Sequence, residues 1–255
     1  MTCFPPQDDA HFNAHNRIGD FDLYLDQIEG ATNIMKSHKD YDKVVGYAHS
    51  TGGPVLINYL MKRGDGFFDG FIFNSPFLDW SADAVGSEMA EFVIEHLDVA
   101  TAVSRLTNDS KLGTSETPEE LKDTPLEYLG EEIVLNAWAA KLWSQFYFDF
   151  RCRPLYHVPM TPGFAKGVGG VHAELLKWQK EKKFITFKPM VCITSRADDT
   201  LTAGETLARI DIVGPDRSEI ELHYNAHDVF LSEDEKDVSM AVEMVKVWMD
   251  SKGFE

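Results

Sequence analysis

Val44-Val45-Gly46-Tyr47-Ala48-His49-Ser50-Thr51-Gly52-Gly53-Pro54 is the stretch that decides the fold of this 255-residue chain. Upstream, Asp40-Tyr41-Asp42-Lys43 makes a polar turn, and the apolar run from Val44 to Tyr47 predicts a short strand. Downstream, Val55, Leu56, Ile57, Tyr59, Leu60 and Met61 recur at helical spacing. A serine caught between strand and helix sits on a sharp turn that lifts its hydroxyl out of the backbone. Such a turn crowds its neighbours, so the flanking positions must be small. Here they are Ala48 and Gly52, and Gly53 leaves the helix room to pack. Alanine at the first of these positions is a mild departure from the usual glycine.

An activated serine needs a base and an acid, and on a strand–turn–helix scaffold these follow in the order Asp, His. Lys188-Pro189-Met190-Val191-Cys192-Ile193-Thr194-Ser195 predicts a buried strand, and it runs into Arg196-Ala197-Asp198-Asp199. Glu219-Ile220-Glu221-Leu222-His223-Tyr224 alternates as a strand does and leads into Asn225-Ala226-His227-Asp228. Functional groups of open parallel sheets gather beyond the carboxyl ends of the strands. Serine, carboxylate and imidazole are all expected at such ends.

Ala48-His49-Ser50-Thr51-Gly52-Gly53, Phe73-Asn74-Ser75-Pro76-Phe77-Leu78-Asp79 and Ala226-His227-Asp228-Val229-Phe230-Leu231-Ser232 together resemble the serine aminopeptidase-like α/β-hydrolases. That set includes the lysophospholipase- and monoacylglycerol-lipase-like enzymes. The likeness runs through nearly the whole chain, including Thr161-Pro162-Gly163-Phe164 ahead of a helix centred on Ala173. It implies an α/β-hydrolase fold with a mostly parallel sheet and a helical cap insertion. It also implies a cofactor-free serine hydrolase, most often an esterase acting on acyl esters. Carried over by position, Ser50 is the nucleophile, His227 the base and Asp198 the acid. Asp199 stays open as the neighbouring alternative, and Asp211 as a more distant one.

The chemistry follows from those residue types. A serine hydroxyl is a weak nucleophile at neutral pH, and an imidazole has the pKa to take its proton and return it to a leaving alcohol. A carboxylate behind the imidazole holds the correct tautomer and stabilises the imidazolium. The oxyanion needs preorganised N–H donors, and the Thr51 N–H, just after the nucleophile, is one. Members of the resembled set supply a second from a His-Gly loop that follows an early strand. Residues 1–20 are polar and turn-rich, with no His-Gly pair and no apolar run. The expectation is an α/β-hydrolase chain lacking its N-terminal strands, with an uncovered sheet edge open to self-association.

The organisation expected is one domain over 1–255 with a cap insertion over 79–180. Residues 20–36 read as a helix with Phe21, Leu25, Ile28 and Ile34 near one face, and 233–251 as a closing helix with Val238, Ala241, Val242, Val245 and Trp248 as its stripe. Within the insertion, 82–97 and 131–142 read as helical and 107–125 as a connection. Its aromatics (Trp138, Trp143, Phe146, Tyr147, Phe148, Phe150, Tyr156 and Phe164) suit either an acyl groove or ordinary packing of cap on core.

Composition bounds the function. The formal charge of −18 disfavours nucleic acid and anionic membrane surfaces as partners, and suits a solvated acidic surface. A hydrophobic share of 44% supports a packed core. Cys3, Cys152 and Cys192 have no metal-ligand spacing, and an odd, sparse set fits a reducing, cytoplasmic compartment. No carboxylate stands at ligand spacing from His157 or His172, so no metal is expected. No apolar stretch reaches the roughly 18 residues of a membrane helix, and no signal-peptide core is seen at the N-terminus. Two functions follow. The first is a serine hydrolase of carboxylic esters, acylglycerols or lysophospholipids among them. The second is a non-catalytic chain, a binding protein or an incomplete gene product. Peptidase activity is a weaker third reading, since fold and residue set do not select amide over ester.

Overall fold

A computed structural model describes residues 21–79, 124–128, 131–135, 162–198, 201, 203–232 and 235–254. Its strands are β1 (Val45–His49), β2 (Gly70–Asn74), β3 (Thr124–Tyr128), β4 (Glu131–Leu135), β5 (Met190–Ser195) and β6 (Arg217–Leu222). Its helices are α1 (Leu23–His38), α2 (Gly52–Arg63), α3 (Pro162–Lys180), α4 (Ala203–Val213) and α5 (Glu235–Ser251), with one 3-10 turn at Val229–Leu231.

β1, β2, β5 and β6 form a parallel sheet in that order, with His49 beside Asn74, Asn74 beside Ile193 and Ser195 beside Leu222. Alternation along the strands divides the core in two. Ala48, Phe71, Phe73, Met190 and Cys192 face one hydrophobic cluster, which Leu25, Ile57, Leu60, Val168, Leu175 and Ile210 complete from α1 to α4. Ile72, Val191 and Ile193 face the other, closed by Ala241, Val245 and Trp248 of α5. A parallel sheet covered on both faces explains why β5 is apolar at nearly every position. Among the described residues β1 is an edge strand, as is β6.

α2 is shaped at both ends by residues that suit them. Pro54 lies in the first turn, where a missing N–H costs nothing. Gly64 ends the helix at φ 80°, a conformation only glycine adopts freely, and its N–H reaches the Leu60 carbonyl at 3.0 Å. Asp22, just before α1, accepts from Asn58 Nδ2 at 3.0 Å and pairs with Lys62, which ties α1 to α2.

Four expectations change. Residues 131–135 are not helical but form β4, paired antiparallel to β3 with Ile133 opposite Leu126 and Val134 opposite Pro125. Thr124, Ile133 and Val134 are β-branched, so pairing beats helical spacing. α3, at the end of the interval read as a cap, is built into the core, with Val168, Val171 and Leu175 buried. Ile34 is 70% exposed, and Thr32 takes the buried place on α1. The described part of the closing helix is α5, in which Val242 is exposed. The stretches 82–97 and 107–123 and the aromatics from Trp138 to Tyr156 lie outside the described residues, as does the side chain of Phe164.

Candidate active site

Ser50 follows β1 directly, at φ 50°, in the left-handed region that a serine adopts at a cost of about 1–3 kcal/mol. Hydrogen bonds over-determine that turn. The Ser50 N–H donates to the Asn74 carbonyl at 3.1 Å, and the Ser50 carbonyl accepts from Gly53 N and Phe77 N, each at 2.9 Å. Ser75, at φ 41°, makes the matching turn after β2 and donates from its N–H to the Ile193 carbonyl at 2.8 Å. The crowding expected around the serine is real but falls mainly on one residue. A Cβ on Gly53 would come within 2.7 Å of Pro76 Cβ, whereas one on Gly52 would lie 3.8 Å from Ala48 Cβ. The second figure is ordinary contact, which is why alanine serves at position 48.

The loops after β5 and β6 bring the other two groups to the serine. Ser50 Oγ lies 2.8 Å from His227 Nε2, and His227 Nδ1 lies 2.8 Å from Asp198 Oδ2. In the neutral tautomer that this arrangement fits, Ser50 Oγ–H donates to Nε2 and Nδ1–H donates to the carboxylate. The Asp198 side chain is 3% exposed and that of His227 11%, so little water competes for either bond. Asp198 Oδ1 also accepts from Leu201 N at 3.0 Å, which fixes the carboxylate plane. Thr51 stands at the N-terminus of α2, where the helix dipole favours negative charge.

The alternatives separate by position. Asp211 pairs with Arg217 Nη2 at 2.5 Å and is half-exposed on α4. Asp199 lies outside the described residues. Among the described residues no group of three or more His, Cys, Asp and Glu could hold a metal, and no helix is long and apolar enough to cross a membrane. Cys192 is fully buried and its thiol is pushed far up by burial, consistent with a small apolar residue in β5.

Four residues without a role in the sequence reading lie against the histidine loop. Asn74 Nδ2 donates to Asp228 Oδ1 and to Tyr47 Oη, each at 2.9 Å. Asp228 Oδ1 also accepts from Phe230 N at 3.2 Å and so caps the 3-10 turn. His49 lies with its ring centroid 4.9 Å from that of His227 and its Nδ1 3.7 Å from Asp228 Oδ2. Burial holds the His49 pKa below the ordinary imidazole value, against the pull of Asp228. The only sequence signal for this group was the pairing of polar Asn74 and Asp228 with strand ends.

A family model for the serine aminopeptidases of type S33 matches residues 9–146, just over half of the chain. With that match and this fold, the chain belongs to the serine aminopeptidase S33 family of α/β-hydrolases. Solved structures agree with it in architecture. A monoacylglycerol lipase from Paleococcus ferrophilus is 18% identical, with a TM-score of 0.59 over 91% of this chain and 76% of its own. A soluble variant of the monoglyceride lipase of Saccharomyces cerevisiae, solved with a substrate analogue, is 17% identical, with a TM-score of 0.55 over 91% of this chain and 69% of its own. The α/β-hydrolase GrgF of Penicillium sp. sh18 is 14% identical, with a TM-score of 0.55 over 93% of this chain and 74% of its own. At such identities the likeness carries the fold and not the activity. Among curated proteins no sequence matches the chain.

Proposed function

We propose that the chain is a serine hydrolase that cleaves carboxylic esters through an acyl-enzyme. The observation that carries this reading is the unbroken run of 2.8 Å contacts from Ser50 through His227 to Asp198. Ser50 Oγ attacks the ester carbonyl while His227 Nε2 takes its proton. Asp198 keeps the imidazole oriented and stabilises its charged form without taking the proton. The oxyanion lies against the Thr51 N–H at the positive end of α2. His227 then returns the proton to the leaving alcohol, and water repeats the sequence on the acyl-enzyme.

Acylglycerols and lysophospholipids are the substrate class we favour. Two solved structures similar in fold carry the names monoacylglycerol lipase and monoglyceride lipase. A cap over the site belongs to the same reading, confined to the part of 79–180 that precedes α3, and the whole is taken as one domain. The sparse cysteines favour a reducing, cytoplasmic compartment. The outer edge of β1 presents unpaired backbone groups among the described residues, and we include pairing with a second copy there. Sedimentation velocity reads that part directly, since a monomer across the micromolar range removes it.

The main test is labelling with a fluorophosphonate probe, followed by hydrolysis of a short p-nitrophenyl ester. The probe is expected on Ser50, and Ser50→Ala is expected to abolish both label and turnover while the chain stays folded. A folded parent that takes no label returns the non-catalytic reading. Turnover of Ser50→Ala within a few-fold of the parent removes Ser50 as nucleophile.

A further inference from the structure

We propose that Asn74 is the positioning residue that sets the distance between Ser50 and His227, gripping the serine turn through its carbonyl and the histidine loop through Asp228. The inference rests on the reading of Ser50 and His227 as nucleophile and base. Asn74 is the last residue of β2 and is fully buried. Its main-chain carbonyl accepts the Ser50 N–H at 3.1 Å. Its side-chain amide donates one N–H to Asp228, the residue after the histidine, and the other to Tyr47 of β1, three residues before the serine. One buried residue therefore reaches both partners of a contact that joins distant parts of the chain, the serine turn through its main chain and the histidine loop through its side chain.

Each bond in this group has a reason to hold. An amide with no access to water must spend both its N–H groups on protein acceptors, and Tyr47 and Asp228 are those acceptors. The bond to Asp228 is charge-assisted, the stronger kind. Asp228 has its second duty at Phe230 N, so displacing its carboxylate would also release the 3-10 turn behind the histidine. Neither Asn74 nor Asp228 makes any of the proton transfers. Asp198 already occupies His227 Nδ1. What the pair fixes is where the loop stands, and a base displaced by about 1 Å can cost on the order of a hundredfold in rate.

A role confined to stability is separated from positioning by exchanging the partners. Asn74→Asp alone sets two carboxylates against each other. Asp228→Asn alone keeps an amide oxygen for Asn74 and Phe230 N and loses only the charge assistance. Asn74→Asp combined with Asp228→Asn restores the contacts of position 74 with position 228 and with the Tyr47 hydroxyl in reversed polarity, and gives up the bond from Phe230 N, which meets the same Asp228 Oδ1 that faces Asn74.

The experiment measures kcat and KM on a short p-nitrophenyl ester, together with the low-field proton resonance of His227 Nδ1–H. Asn74→Asp is expected to lower kcat about ten- to a hundredfold with KM within about twofold, and to broaden or remove the resonance, and Asp228→Asn to do both to a smaller degree. The double exchange, which relieves the repulsion but not the lost bond from Phe230 N, is expected to recover the resonance and part of kcat relative to Asn74→Asp. Asn74→Asp with parental kcat and resonance, or a double exchange no better than Asn74→Asp, would overturn the proposal. If the parent neither labels nor turns over, the hydrolase reading fails and the resonance alone decides the positioning, by the same pattern of loss and recovery. Should a single variant fold poorly, Tyr47→Phe removes only one acceptor at a half-exposed position. A fall in kcat without a change in KM then supports the proposal, and an unchanged kcat and resonance overturns it.

Discussion

Ser195 ties the loop that carries Asp198 to the loop that carries His227: its Oγ donates to the Asn225 carbonyl at 2.5 Å and accepts from Ala197 N at 3.2 Å. It is the last residue of β5 and is 1% exposed, so neither bond has water as an alternative. Ser195→Ala should therefore leave a buried carbonyl and a part-buried N–H short of partners. The expected loss is about 1–3 kcal/mol of stability, together with a fall in kcat as the two loops separate. Urea unfolding and ester turnover, measured on the same preparation, check both.

The acid is tested by substitution at three carboxylates. Asp198→Asn should lower kcat by about 10⁴, because an amide facing Nδ1 favours the wrong imidazole tautomer. Asp211→Asn should leave turnover within about twofold, since its partner is the Arg217 side chain and its loss is that of a surface pair. Asp199→Asn is expected to behave like Asp211→Asn. A larger loss at Asp199 than at Asp198 would reverse the assignment.

Adjacent glycines should respond differently to the same change. Gly53→Ala drives a methyl group to within 2.7 Å of Pro76 Cβ and 3.1 Å of Pro76 Cα, beside the serine turn. Overpacking of this kind costs about 1–3 kcal/mol, and here it should also displace the turn and depress turnover. Gly52→Ala meets only the Ala48 methyl at ordinary contact distance and should be neutral or slightly stabilising. Thermal unfolding of the two variants beside the parent is sufficient to see the contrast.

Acid should destabilise the fold through buried imidazoles. His172 is 5% exposed with Nε2 2.8 Å from the Phe77 carbonyl, and burial holds its pKa below 6.5, more than that hydrogen bond and Asp79 raise it. His49 is depressed in the same direction, again by burial first. In the unfolded chain both take a proton near pH 6.5, whereas the folded chain resists it, so the unfolded state binds more protons as pH falls. The stabilisation is therefore complete above pH 6.5 and is lost as pH falls from there through the depressed folded values. Urea midpoints at pH 7.5 and 5.5 should show it, and His172→Gln should flatten the dependence. An equal pH slope in parent and variant would clear His172 of the effect.

Much of this arrangement was legible because its causes are local. Residues 188–195 read as a strand and 190–195 form one, since an apolar run between turn residues has few other uses. Ser50 and Asp198 stand out because each follows such a run, and His227 because it follows an alternating strand; the parallel sheet then gathers all three at one end. Ile34 was misplaced for a periodic reason. From Phe21 through Leu25 and Ile28 the buried stripe continues to Thr32, whose Oγ bonds the Glu29 carbonyl at 2.9 Å, and Ile34 lies off that stripe. The strand at 131–135 was hidden because its partner lies earlier in the chain, and pairing leaves no mark in a single segment. Asn74 and Asp228 escaped for a related reason. A polar residue at a strand end looks like a solvated one until a loop 154 positions away is seen folded onto it.

Ser50 and His227 are separated by 177 positions, a distance with a consequence in time as well as in space. At about 5–20 residues per second of synthesis, Ser50 leaves the ribosome roughly 9–35 s before His227 does. On the proposed mechanism, a growing chain through that interval carries the hydroxyl without the imidazole that is to deprotonate it. A fragment cut ahead of β6 is then expected to be mute towards esters. Ester turnover would then report that translation has run past His227 and that the loop after β6 has reached the turn after β1, so it can serve as an assay of completed folding inside the cell.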